Sequence, residues 1–107
     1  MAQANSCQYC LSAHTALAKR AGLTESEVRD ARAGAARDRL EAAVAALALQ
    51  IVQKRGNITD ADFEAAKAAG IDEPMMVEIL GNVAISVLTN YTNNFAGTEI
   101  DFPVVSL

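Results

Sequence analysis

The sequence predicts an all-α domain, and three observations carry that expectation. Alanine is concentrated in two runs, Ala42, Ala43, Ala45, Ala46 and Ala48, then Ala65, Ala66, Ala68 and Ala69; it is the best helix former and a poor strand residue. No stretch alternates apolar and polar residues far enough to argue for a strand. Residues that cap and stop helices divide the chain into five segments.

Asn5 and Ser6 are N-cap residues ahead of a first helix, roughly Cys7 to Arg20, with Gly22 as its C′ residue. Thr24 with Glu27 three positions on forms a capping box and opens a short helix from about Glu25, which Gly34 ends. A third helix is expected from roughly Arg37 to Lys54, with Leu40, Val44, Leu47 and Ile51 on one face. Basic Lys54 and Arg55 suit the negative end of its dipole, and Gly56 stops it. Thr59 with Asp62 starts another short helix that Gly70 closes. Asp72 caps a long last helix, with Pro74 tolerated in its first turn and an end near Phe95, before Gly97.

The last helix is apolar on too many sides. Met75, Met76, Ile79, Leu80, Val83, Ala84, Val87 and Leu88 cover more than half its circumference, while Glu78, Asn82, Ser86 and Thr89 make only a narrow polar line. A surface helix of a monomer is half polar, so this one is expected to be covered on both sides. A chain of 107 residues can hardly do that alone, which predicts a homo-oligomer. The tail from Gly97 to Leu107, carrying Phe102, Pro103, Val104 and Val105, is expected to lie on a neighbouring subunit. Residues 1–107 are read as one domain with 97–107 as its C-terminal tail.

Composition excludes several function classes. Apolar residues at 51% and charged residues at 21% are the balance of a globular protein and not of a disordered one. A net charge of −4 with no basic stripe argues against nucleic-acid binding and against attraction to anionic lipid. Apolar stretches are broken by Gly81, Asn82 and Ser86, well short of the ~20 residues that span a bilayer. Two cysteines make no disulfide scaffold and no signal segment opens the chain, so the expected compartment is the cytosol. There, two close cysteines point to catalysis or metal binding. The sequons at Asn57 and Asn90 then carry no glycan, and the asparagines at 90, 93 and 94 read as a solvated helix end, with polar contacts at a subunit interface as the alternative.

One chemical constellation stands out: Cys7, Cys10 and His14. At ~100° per residue, steps of three and seven return to nearly the same helix face, so the three fall within a sector of about 60°. A thiolate at a helix N-terminus is stabilised by unpaired backbone N–H groups and the dipole. The C-x-x-C spacing lets one sulfur resolve what the other forms, and an imidazole one turn from Cys10 is placed to take its proton. That suits attack on a hydroperoxide or exchange with another protein's disulfide. Two sulfurs and an imidazole equally match three ligands of a zinc site, whose fourth ligand must be a carboxylate, water or another subunit. Plain packing of small residues in a helix is a third reading. Covalent haem attachment fails, because Leu11 and not His follows Cys10.

Cys7-Gln8-Tyr9-Cys10 followed by Ala13-His14 resembles the core motif of the AhpD-like alkylhydroperoxidases, in the carboxymuconolactone decarboxylase superfamily. Gly22-Leu23-Thr24 with Glu25 and Glu27, the stretch from Asn57 to Asp62, Ala68 to Ile71, and Asn90-Tyr91 through Thr98 to Pro103 resemble later parts of a CxxC-containing branch. The resemblance implies an all-helical trimer or hexamer and thiol peroxidase or disulfide reductase chemistry without haem, flavin or metal. By position it makes Cys10 the peroxidatic thiol, His14 its proton-relay partner and Cys7 the resolving thiol, recycled by a thiol or disulfide reductant protein. The dipole by itself favours Cys7 as the more acidic sulfur. The family's relay includes a Glu on a preceding helix, whereas Met1 to Ser6 look like only that helix's last turn, so the chain is read as beginning within the domain. Tyr9 stands where some relatives carry a second His. Glu25, Glu41, Glu78 and Glu99 are the carboxylates another subunit could bring. Two rivals remain: a helical assembly protein with a silent site, and the lactone decarboxylase branch with acid/base chemistry on a small carboxylate.

Overall fold

The computed structural model describes residues 1–107 and contains five helices and no strand. They are α1 (Gln8–Arg20), α2 (Glu25–Arg32), α3 (Arg39–Gln53), α4 (Asp60–Ala68) and α5 (Glu73–Ala96). No helix is long and apolar enough to cross a membrane.

The starts of α2 and α4 follow from local chemistry. The Thr24 hydroxyl accepts from the Glu27 backbone N–H at 3.3 Å, and the Glu27 carboxylate accepts from the Thr24 N–H at 2.7 Å. Thr59 and Asp62 repeat the box at 3.3 and 2.9 Å, so the shorter Asp serves where Glu is usual. Asp72 caps α5 by accepting from the Met75 N–H at 2.9 Å. Two expected boundaries move. The third helix begins at Arg39 and not Arg37, because Asp38 takes the N-cap and accepts from Leu40 and Glu41. It ends at Gln53, which leaves Lys54 as its C-cap and Arg55 in the left-handed region at φ 53°. Lys54 instead reaches across to the Asp62 carboxylate.

α5 is the spine. α3 packs along it and carries α4, while α1 packs beside it and carries α2. The larger core joins Leu47 and Ile51 of α3, Ala66 of α4, Ile71, and Ile79 and Val83 of α5. A second, smaller core holds Ala2, Cys7, Cys10 and Leu11, with Tyr9 and Val105 against it.

α5 ends at Gly97, whose φ of 59° turns the chain back. The Thr98 N–H returns to the Asn93 carbonyl at 3.1 Å, a Schellman closure that glycine adopts without steric cost. This overturns the expected place of the tail: it lies along its own α1. The Val105 N–H donates to the Ser12 hydroxyl at 3.0 Å, Gln8 donates to the Val105 carbonyl at 3.4 Å, and the Tyr9 and Phe102 rings meet edge to face at 5.9 Å. Ser12 is fully buried beneath it.

The expectation of a doubly apolar last helix stands in geometric form. Ile79, Val83 and Asn90 are buried, while Val77, Leu80, Leu88 and Phe95 are exposed, Phe95 to 95%. At 100° per residue the centres of these two sets lie roughly 130° apart around the helix, so they form two distinct faces.

Candidate active site at the start of the first helix

Met1 to Asn5 make one helical turn, with the Asn5 N–H returning to the Met1 carbonyl at 2.9 Å. Ser6 then takes φ 51°, and the Cys7 N–H reaches back to the Ala2 carbonyl at 3.0 Å. This closing turn delivers Cys7 to the head of α1. The expected caps, Asn5 and Ser6, are therefore displaced: Cys7 itself is the N-cap, and its sulfur accepts from the Cys10 backbone N–H at 3.2 Å. Asn5 is drawn away because it is buried against α5, donating to the Asn90 side-chain oxygen at 2.9 Å.

Cys7 and Cys10 are joined in a disulfide, with their Cα atoms 5.3 Å apart. Cys7 is 0% and Cys10 4% exposed, so the bond lies under the tail and against α5. Bonded to each other, the two sulfurs offer no thiolate to a metal in this state.

The three asparagines read as a solvated helix end turn out to hold the site together. Asn90 is buried on Asn5, the Asn94 amide donates to the Asn5 carbonyl at 3.2 Å, and the Asn93 amide donates to the Cys10 sulfur at 3.5 Å. Sequence reasoning singled these residues out but placed them in solvent or at a subunit interface, not at the cysteine pair. Their spacing of three and four was the available signal, since it places them on adjoining faces of one helix.

His14 occupies a different surface. It is exposed and lines a cleft of about 280 Å³ with Leu11, Thr15, Leu23, Val28 and Arg32. Neither cysteine lines that cleft, and the side-chain donor that reaches Cys10 belongs to Asn93, not His14. The predicted trio is thus brought together only as a pair, with His14 one turn along. Arg32 closes one side of the cleft by donating to the Gln3 side-chain oxygen at 2.7 and 3.0 Å and to the Ser106 carbonyl at 2.8 Å. Among the carboxylates considered as proton donors, Glu25 is engaged by Lys19 at 2.9 Å, which holds it below the usual carboxylate range. Glu41, Glu78 and Glu99 are exposed.

An all-helical domain with a C-x-x-C pair at a helix start has the arrangement of a thiol-based redox protein. The chain belongs to the carboxymuconolactone decarboxylase family, whose model matches residues 1–54 and so spans α1 to α3 with Cys7, Cys10 and His14. No curated protein and no solved structure gives a match.

Proposed function

We propose that this chain reduces hydroperoxides through a Cys7–Cys10 dithiol/disulfide cycle, in the manner of the AhpD-like branch. The observation that carries the reading is the disulfide at the head of α1, within the family-matched segment. Two sulfurs three residues apart, one already capping a helix, need little motion to pass between dithiol and disulfide.

In the reduced protein the Cys10 thiolate attacks the terminal oxygen of the hydroperoxide. The O–O bond breaks, Cys10 becomes a sulfenic acid, and the departing alkoxide takes a proton from His14 to leave as alcohol. The Cys7 thiol then attacks the sulfenic sulfur, forming the disulfide and releasing water. A dithiol protein reduces the bond and is itself oxidised, which makes a reducing compartment such as the cytosol the fitting one.

A second copy of the chain belongs to this reading. The accessible surface is 6918 Å², against about 5,700 Å² for a compact monomer of this mass. The radius of gyration is 14.2 Å, against about 13 Å. The excess is on the scale of the ~800 Å² each partner buries in a stable interface. The exposed apolar face of α5 is where a copy would dock.

The test is thiol loss in the fully reduced protein after one equivalent of an organic hydroperoxide. Rapid loss of two thiols per chain, abolished in Cys10→Ser and slowed in His14→Ala, is the expected result. Loss no faster than that of a free thiol would overturn the proposal and leave a helical assembly protein with a silent site.

A further inference from the structure

We propose that Asn93 is a further catalytic residue, whose side-chain N–H selects Cys10 as the thiolate of the pair. The inference rests on the dithiol cycle above and adds a residue that lies outside the family-matched segment, 83 positions from Cys10.

The orientation of the amide is set by its bond to Thr89. Its nitrogen donates to the Thr89 carbonyl at 2.9 Å, and a carbonyl can only accept. Its oxygen accepts from the Thr98 hydroxyl at 2.9 Å. Flipping the amide would set oxygen against the Thr89 carbonyl and lose that bond, whereas the Thr98 hydroxyl can donate or accept and serves either orientation. One N–H is therefore spent on Thr89 and the second is left facing Cys10 sulfur at 3.5 Å. The distance is held from both sides. Thr98 is tied to Asn93 by its own backbone N–H, and Asn90 and Asn94 clamp Asn5, two residues before Cys7.

A disulfide sulfur is a weak acceptor, so this contact does little in the oxidised protein. A thiolate carries full charge, and the same N–H then makes a charge-assisted bond. Burial matters to the sign. Cys10 is 4% exposed, and burial by itself disfavours the charged sulfur. The helix start does not redress this for Cys10, because the free N–H in its first turn, that of Cys10 itself, is aimed at the Cys7 sulfur. Asn93 supplies the donor that the helix gives to the other cysteine. Stabilising the Cys10 thiolate also favours the dithiol over the disulfide and so makes the pair more oxidising.

The test is the thiolate titration of Cys10 in a Cys7→Ser background, followed by ultraviolet absorbance of the thiolate, with Asn93, Asn93→Ala and Asn93→Asp compared. Asn93→Asp keeps the shape and the acceptor for Thr98, removes the N–H and adds a like charge. Helical circular dichroism checks that each variant is folded. The expected result is a midpoint raised by about one pH unit in Asn93→Ala, a tenfold loss of thiolate below the midpoint, and raised further in Asn93→Asp. In the two-cysteine protein, the Cys7–Cys10 couple becomes more reducing in both variants. An unchanged midpoint in folded Asn93→Asp overturns the proposal. No hydroperoxide enters the titration, so a shifted midpoint in a chain without peroxidase activity sustains the role of Asn93 while overturning the function. An unchanged midpoint in an active peroxidase overturns only Asn93.

Discussion

The side chain of Asn5 donates to that of Asn90 at 2.9 Å, across 85 residues of sequence, and both are buried. The bond fastens the turn that delivers Cys7 to the last third of α5, so the redox pair and the longest helix form one unit. Removing one partner leaves the other desolvated and unpaired, which costs about 1–3 kcal/mol. Asn90→Ala is expected to lower stability by that amount in urea denaturation. The Asn5→Ala/Asn90→Ala double variant is expected to lose less than the sum of the two singles, the mark of a direct interaction.

The tail should act as a cover over the disulfide. Val105 sits on the small core that contains both cysteines, its N–H held by Ser12, while Arg32 holds the Ser106 carbonyl. Deleting Val104 to Leu107, or substituting Ser12→Ala, is expected to speed reduction of Cys7–Cys10 by a small phosphine several-fold. The measurement is the rate of thiol appearance, and an equal rate in all three proteins would remove the cover from the account.

Acid stability should show the imprint of one carboxylate. Lys54 first, then the Thr59 hydroxyl and N–H, hold the Asp62 carboxyl from an ordinary 3.8 down to about 2. A depressed folded value means that its stabilising contribution is present above the unfolded pKa and is lost as pH falls toward about 2. Asp62→Asn is therefore expected to lower stability at neutral pH, where the ionised carboxylate contributes, and to flatten the profile between 3.8 and about 2, so that the two proteins converge at the acid end. Thermal unfolding at a series of pH values reads this directly.

Association should depend on the free face of α5. Leu88 is 66% and Phe95 95% exposed on that face. Leu88→Glu with Phe95→Glu is expected to shift sedimentation from an assembly to the mass of one chain while helical content stays the same. An unmodified protein that sediments as a monomer would refute the docking of a second copy.

The core should tolerate truncation poorly where α4 meets α5. Ile71 is 1% exposed in the larger core, so Ile71→Ala is expected to cost about 2–5 kcal/mol. Urea midpoints measured at constant slope would show it.

What the sequence determined by itself is what is decided within about four residues. Thr24 with Glu27, Thr59 with Asp62 and Asp72 before Pro74 announce three helix starts, because a cap reads only its own first turn. The C-x-x-C pair was legible for the same reason, since spacing alone places one sulfur within reach of the other. Even the two-sided apolar character of α5 follows from periodicity. What only the tertiary structure decided is every contact made across the chain. Asn90, Asn93 and Asn94 carry the same local chemistry whether they face water or Asn5 and Cys10, so sequence assigned them to solvent or a subunit interface. The tail carries apolar residues that must be covered, but composition does not say by which surface; the αL turn at Gly97 sends it onto its own α1. His14 shares a nominal face with Cys10, yet that face is divided between a buried disulfide and an open cleft once α5 and the tail pack against it. Local hydrogen bonds have one partner within reach and can be read from order. Burial depends on what arrives from far along the chain, and it settled which of these polar groups belong to the site.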